Sequence, residues 1–138
     1  MKILVSACLL GENCKYSGGN NYSEKVAAFI KGHTVIPVCP EVLGGLPIPR
    51  TPAELVNGAA MTKDGRSVDA EYRLGAQRAL DIARREQPDV IVLQSRSPSC
   101  GIKQIYDGTF SGTRIPGQGV FAALAMREGF RVIDVEDL

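Results

Sequence analysis

The chain has 138 residues, 44% of them apolar, and its 16 basic and 15 acidic residues leave a net charge of +1. That is one domain's length on the prior of roughly 100–200 residues per domain, with apolar material for one core and no need of disulfide staples. A near-neutral balance gives no electrostatic case for a nucleic-acid partner. No apolar run approaches the ~20 residues of a membrane span, so no membrane partner is expected. Ordinary hydropathy without low-complexity tracts excludes disorder. Val5-Ser6-Ala7-Cys8 has the look of a lipoprotein cleavage box, but only seven residues precede the cysteine. A charged n-region and an h-region of about 7–15 apolar residues do not fit there, and the expected location is the cytoplasm.

In chain order, the first element is the apolar run Lys2-Ile3-Leu4-Val5, ending at Ser6-Ala7-Cys8. Ser23 then caps a helix whose apolar face uses Val26, Ala27, Phe29 and Ile30, stopped by Gly32. A second strand runs from Thr34 to Cys39, and Pro37, which cannot donate to a ladder, places it at an edge or a bulge. From Pro40 to Arg66, four prolines with Gly44 and Gly45 prevent a long helix or a central strand, and the stretch reads as a long loop. A helix over Val68 to Arg85 offers Leu74, Ala76, Leu80, Ile82 and Ala83 as its buried stripe, with Pro88 marking its end. Asp89 to Gln94 is the third strand. Gly108 to Gly119 reads as a loop, as does Gly18-Gly19-Asn20-Asn21. A helix follows over Gln118 to Arg127 with Val120, Phe121, Leu124 and Ala125 inward, and Phe130 to Val135 is the last strand. β-Branched runs alternating with helices predict a single α/β domain over 1–138. Its form is a three-layer, Rossmann-like fold with a mostly parallel sheet buried on both faces.

Four cysteines stand at 8, 14, 39 and 100, with no Cys-x-x-Cys pair among them. Cys8 ends the first strand, Cys39 the second, and Cys100 lies six residues beyond the third. In an open parallel sheet the loops at the carboxyl ends of the strands share one edge, where ligands bind. Residues 8, 39 and 100 therefore converge there, although a single cysteine is more often a small buried hydrophobe. Such a thiolate group suits zinc, cuprous copper or an iron–sulfur cluster.

The residues around these cysteines carry a resemblance. Ser6-Ala7-Cys8-Leu9-Leu10-Gly11 with Cys14-Lys15-Tyr16-Ser17-Gly18 forms one block. Pro37-Val38-Cys39-Pro40-Glu41 with Gly44-Gly45-Leu46 and Pro49-Arg50 forms a second, and Ser95-Arg96-Ser97-Pro98-Ser99-Cys100-Gly101 a third. Together they resemble the small bacterial thiouracil desulfurases over essentially the whole chain. The departure is at 15 and 17, where Lys and Ser stand and the family more often has Arg and Asp. The resemblance implies a [4Fe–4S] cofactor on Cys8, Cys39 and Cys100, with one iron free for the sulfur of a thiolated pyrimidine. Water would replace that sulfur without net redox. It also places Glu41 and Ser97 as the acid–base and polar helpers.

That chemistry is coherent on its own terms, since a thiocarbonyl sulfur is soft and an iron with a vacant site is a soft Lewis acid. Glu41 stands two residues from a candidate ligand, close enough to serve as the base for water. Ser97 precedes Pro98 in a turn, where a hydroxyl ordinarily satisfies nearby backbone. Cys14 could close a four-thiolate site, which would be structural rather than catalytic; the resemblance assigns it no ligand role. His33, the sole histidine, lies on the opposite edge and reads as surface. Lys103 and Arg50 could meet a polar substrate, but read first as exposed loop cations. Gly117-Gln118-Gly119 lacks the first-strand context of a dinucleotide fingerprint. Its glycines should permit close packing and leave amides facing the cysteine edge. The competing readings are a zinc-binding or structural α/β ligand module and a thiol redox protein using Cys8 and Cys14.

Overall fold

The computed structural model describes residues 1–138. Its elements are β1 (Lys2–Ser6), α1 (Glu24–Ile30), β2 (Thr34–Val38), α2 (Pro40–Leu43), β3 (Ala53–Val56) and β4 (Ala59–Thr62). Then come α3 (Asp69–Glu86), β5 (Val90–Leu93), β6 (Gln104–Tyr106), β7 (Arg114–Pro116), α4 (Val120–Arg127) and β8 (Val132–Asp134). No helix is long and apolar enough to cross a membrane.

β2, β1, β5 and β8 form one parallel sheet in that order. Alternate side chains of β1 and β5 enter two cores, as a two-residue strand period requires. Leu4, Ile91 and Leu93 pack with Ala76, Ala79, Leu80 and Ala83 of α3 and with Phe121 and Ala125 of α4. Ile3, Val5, Val90 and Val92 pack on the other face with Leu9 and with Val26 of α1. The result is the expected three layers. β1 and β5 are buried on both sides, whereas β2 and β8 are edges and only partly covered. Pro37 accordingly lies exposed in the edge strand β2, opposite Val5. Ser23 caps α1 by accepting from the Val26 amide.

Four sequence expectations are corrected. The stretch 40–66 is not one loop, because it holds the short helix α2 and the antiparallel hairpin β3–β4. The turn is Asn57-Gly58, both at positive φ (50° and 82°), the backbone that a tight two-residue hairpin requires. The stretch 108–119 likewise contains β7, paired antiparallel with β6. The buried stripe of α3 is Tyr72, Gly75, Ala76, Ala79, Leu80 and Ala83; Leu74 is 43% exposed and Ile82 only half-buried. Leu124 is likewise half-buried, with Ala122 taking the inward place on α4.

The physical reason for the α3 rotation is a close crossing of α2 on α3. A Cβ placed on Gly75 would lie 1.7 Å from the Pro40 carbonyl oxygen, and one on Gly44 would lie 2.0 Å from that of Glu71. Only paired glycines admit that approach. It turns the Gly75 face of α3 inward and Leu74 out, and it presses α2 against Tyr72.

Candidate active site

The sheet order places a topological switch between β1 and β5, since the chain leaves β1 first towards β2 and later returns to pair on its other side. Ligands of open parallel sheets bind at the carboxyl ends of such strands. Here Cys8 follows β1 in a 3-10 turn (Ala7–Leu10), Cys39 directly follows β2, and the turn 95–101 follows β5. All four cysteines are free and line one cavity of about 480 Å³.

Cys39 is the N-cap of α2, with extended backbone, and its thiol donates to the Cys14 carbonyl oxygen at 3.9 Å. The Cys14 thiol lies beside the sulfurs of Cys8 and Cys39 and has one proton to share between them. It brings Cys39 down to about 7, mainly by sharing this proton, and lowers Cys8 in the same way. Cys14 itself is pushed well above the ordinary thiol range, by its bonds to Cys39 and then Cys8 before burial adds to them. Cys100 is pushed up to about 12 by burial, despite hydrogen bonds with Ser6 and Ser99. The Asn21 Nδ2 donates to Cys8 Sγ at 3.5 Å. No three of the His, Cys, Asp and Glu side chains converge on a point where one metal ion would sit. Thiols spread around a cavity suit a cluster in which each thiolate takes its own iron, more than a single tetrahedral zinc.

Glu41 faces this cavity from the first turn of α2. Its Oε1 receives Arg50 Nε at 3.1 Å and Nη2 at 3.0 Å, and the two side chains are only 13% and 7% exposed. Arg50 Nη2 also donates to the Cys14 carbonyl at 2.9 Å. Arg50 is thus a buried brace between two parts of the site, not the exposed loop cation its sequence context suggests. Ser99 Oγ donates to Glu41 Oε2 at 2.8 Å, and the buried Tyr72 lines the cavity beside the same carboxylate. Burial, then the charge of Glu41, raise Tyr72 well above the ordinary phenol range.

Ser97 shapes the turn that carries Cys100. Its Oγ accepts from the amides of Ser99 and Cys100, both at 3.1 Å, and lies 3.0 Å from Ser99 Oγ. With two acceptor positions filled, its one proton goes to Ser99, whose own proton goes to Glu41. The hydroxyls therefore run in one direction, Ser97 to Ser99 to Glu41.

The remaining candidates fall outside the site or change role. His33 is exposed, with Nδ1 2.8 Å from the amino terminus. Lys103 pairs with Asp137 at 3.1 Å, away from the cavity. Gly119 does permit close packing, since a Cβ there would lie 2.4 Å from the Ser99 carbonyl carbon. The amides at the start of α4, however, do not face the cysteine edge. Gly119 donates to Gly101, Val120 to Pro98, and both Phe121 and Ala122 to Ser99. Sequence reasoning missed Ser99, Tyr72 and the buried role of Arg50. Of these only Ser99 had a signal, its position immediately before Cys100.

Comparison with known proteins agrees with this geometry. A family model described as 2-thiouracil desulfurase matches residues 3–137. The uncharacterized protein YbbK of Bacillus subtilis strain 168 is 40% identical, over 99% of this chain and 97% of its own. A solved structure of the [4Fe-4S]-dependent thiouracil desulfidase TudS is 39% identical and superposes with a TM-score of 0.93, covering 99% of this chain and 92% of that one.

Proposed function

The chain belongs to the 2-thiouracil desulfurase family, and on that premise we propose that Cys8, Cys39 and Cys100 hold its [4Fe–4S] cluster while Glu41 and Ser99 manage protons beside it. The reaction is the iron–sulfur-dependent desulfuration of thiouracil, and the substrate class is a small thiolated compound. The donor set fits the cofactor, because free thiols ring a single cavity at the switch point of the sheet. When bound, the cluster supplies a soft Lewis acid to the substrate's thiocarbonyl sulfur.

The chain's own groups supply the rest. Arg50 and Ser99 hold the Glu41 carboxylate in a fixed orientation facing the cavity. Glu41 takes the proton of an attacking water as its oxygen bonds to the ring carbon. The C–S bond then breaks, sulfur departs as hydrosulfide with the proton relayed from Glu41, and the new hydroxyl gives its remaining proton to the freed Glu41 carboxylate as the oxo group of the base forms. No electron is gained or lost, and water is the only co-reactant. Ser99, hydrogen-bonded to Glu41 and in contact with the Cys100 sulfur, can carry that proton towards the leaving sulfur. Ser97 acts at one remove, by fixing the turn and the direction of the hydroxyl chain. Cys14 stays outside the ligand set, with its one thiol proton beside the sulfurs of Cys8 and Cys39.

The observation that carries this reading is the Glu41 carboxylate held two residues from Cys39 by Arg50 and Ser99 in a thiol-lined cavity. It is tested by iron and acid-labile sulfide analysis after anaerobic reconstitution, followed by 2-thiouracil turnover in the same sample. About four irons per chain with release of sulfide and uracil is expected. Absence of a cluster would overturn the ligand assignment.

A further inference from the structure

The polar side chains of the cavity are nearly all committed to partners within the chain. Ser95 bonds Asp134, Arg96 is paired with Glu136 and Tyr106, and Asn21 bonds Cys8 and receives Lys15. Glu54 accepts from the amides of Gly108 and Phe110. Gln94 is different. Its backbone is pinned, with the amide donating to Ser6 Oγ at 3.0 Å directly beyond β5. Its half-buried side chain lines the cavity, and its carboxamide makes no hydrogen bond within the chain.

A carboxamide offers a donor and an acceptor side by side. The edge of a 2-thiouracil ring that carries N3–H and the C4 carbonyl offers the complementary pair. Building on the functional reading above, we propose that Gln94 determines substrate specificity: its Nε2 donates to the C4 carbonyl oxygen, and its Oε1 accepts from N3–H. The thiocarbonyl at C2, on the far side of N3, is left free for the chemistry. Gln94 is well suited to such reading because it directly follows the central strand β5 and its amide is pinned to Ser6 at the end of β1. A site whose polar group would be left unpaired rejects an analogue that lacks the matching atom.

The test uses cluster-loaded wild type, Gln94→Ala and Gln94→Glu, with iron content measured on each. Two lost hydrogen bonds predict a KM for 2-thiouracil and an inhibition constant for uracil about tenfold higher in Gln94→Ala, with the change falling on KM rather than kcat. 2-Thiopyrimidine, which lacks the C4 carbonyl, separates recognition from a general structural effect. Wild type should favour 2-thiouracil over it, and Gln94→Ala should lose that preference. Gln94→Glu keeps the shape but loses the donor, and carries the same comparison if Gln94→Ala loads iron poorly. Wild-type KM, uracil inhibition and preference in both variants would overturn the assignment. Failure of loaded wild type to consume 2-thiouracil would instead bring down the functional reading, and this assignment with it.

Discussion

Replacing Glu41 separates its chemical role from its structural one. The carboxylate accepts two N–H bonds from Arg50 on one oxygen and the Ser99 hydroxyl on the other. Glu41→Ala leaves a guanidinium that is 7% exposed without its counter-charge. Stranding one member of a buried pair costs about 3–5 kcal/mol. Glu41→Gln keeps an oxygen for Arg50 and a group of the same shape towards Ser99, so its cost should be nearer the ~1–3 kcal/mol of a weakened charged hydrogen bond. Both variants remove the base and should lose about 10²–10⁴-fold in turnover. Urea titration gives the two stabilities, iron analysis the loading, and uracil release the rate. The decisive sample is Glu41→Gln with wild-type iron content. If it turned over 2-thiouracil within about tenfold of wild type, Glu41 would not be the base.

Cys8→Ala, Cys39→Ala and Cys100→Ala should each abolish cluster loading, whereas Cys14→Ala should still load; equal loss in all four would refute a three-ligand site. Gly75→Ala should destabilise by about 1–3 kcal/mol through overpacking against Pro40, although alanine in a helix is otherwise favoured by about 1 kcal/mol. Urea unfolding checks this, and a net gain in stability would mean the crossing can relax. In the cluster-free chain, Cys39 is lowered to about 7 and Cys100 raised to about 12. A thiol reacts as the thiolate, which is populated above its pKa. Iodoacetamide at pH 8 should therefore modify Cys39 and spare Cys100, with the Cys39 rate falling as pH drops through 7. Peptide mapping that found Cys100 modified first would contradict this order.

The four strands of the central sheet, the edge position of β2, and the meeting of Cys8, Cys39 and Cys100 at one cavity were readable in the sequence. They depend on local pattern and on one topological rule. What escaped depends on partners distant in the chain. Leu74 has the hydropathy of a core residue, yet the face of α3 is chosen by Gly75 meeting Pro40, and no window around residue 74 contains that contact. Arg50 has the look of a loop cation until folding sets it against Glu41 and the Cys14 carbonyl. Asn57-Gly58 is a different kind of miss. The strongest short hairpin signal was present, between Leu55-Val56 and Ala59-Ala60, and the surrounding prolines obscured it. At the site, Ser97 was placed correctly in its turn, but its two amide bonds leave the contact with Glu41 to Ser99.

The amides that open α4 close onto the carbonyls of Pro98, Ser99 and Gly101, and Phe121 and Ala122, which supply two of them, are fully buried. Opening the Cys100 turn therefore means withdrawing a core aromatic, an event that belongs to global unfolding rather than to local breathing. In deuterium these amides should be among the last to exchange. One cysteine of the site is thus anchored in the slowest-opening part of the protein, and the molecule retains that part of its geometry for as long as it stays folded.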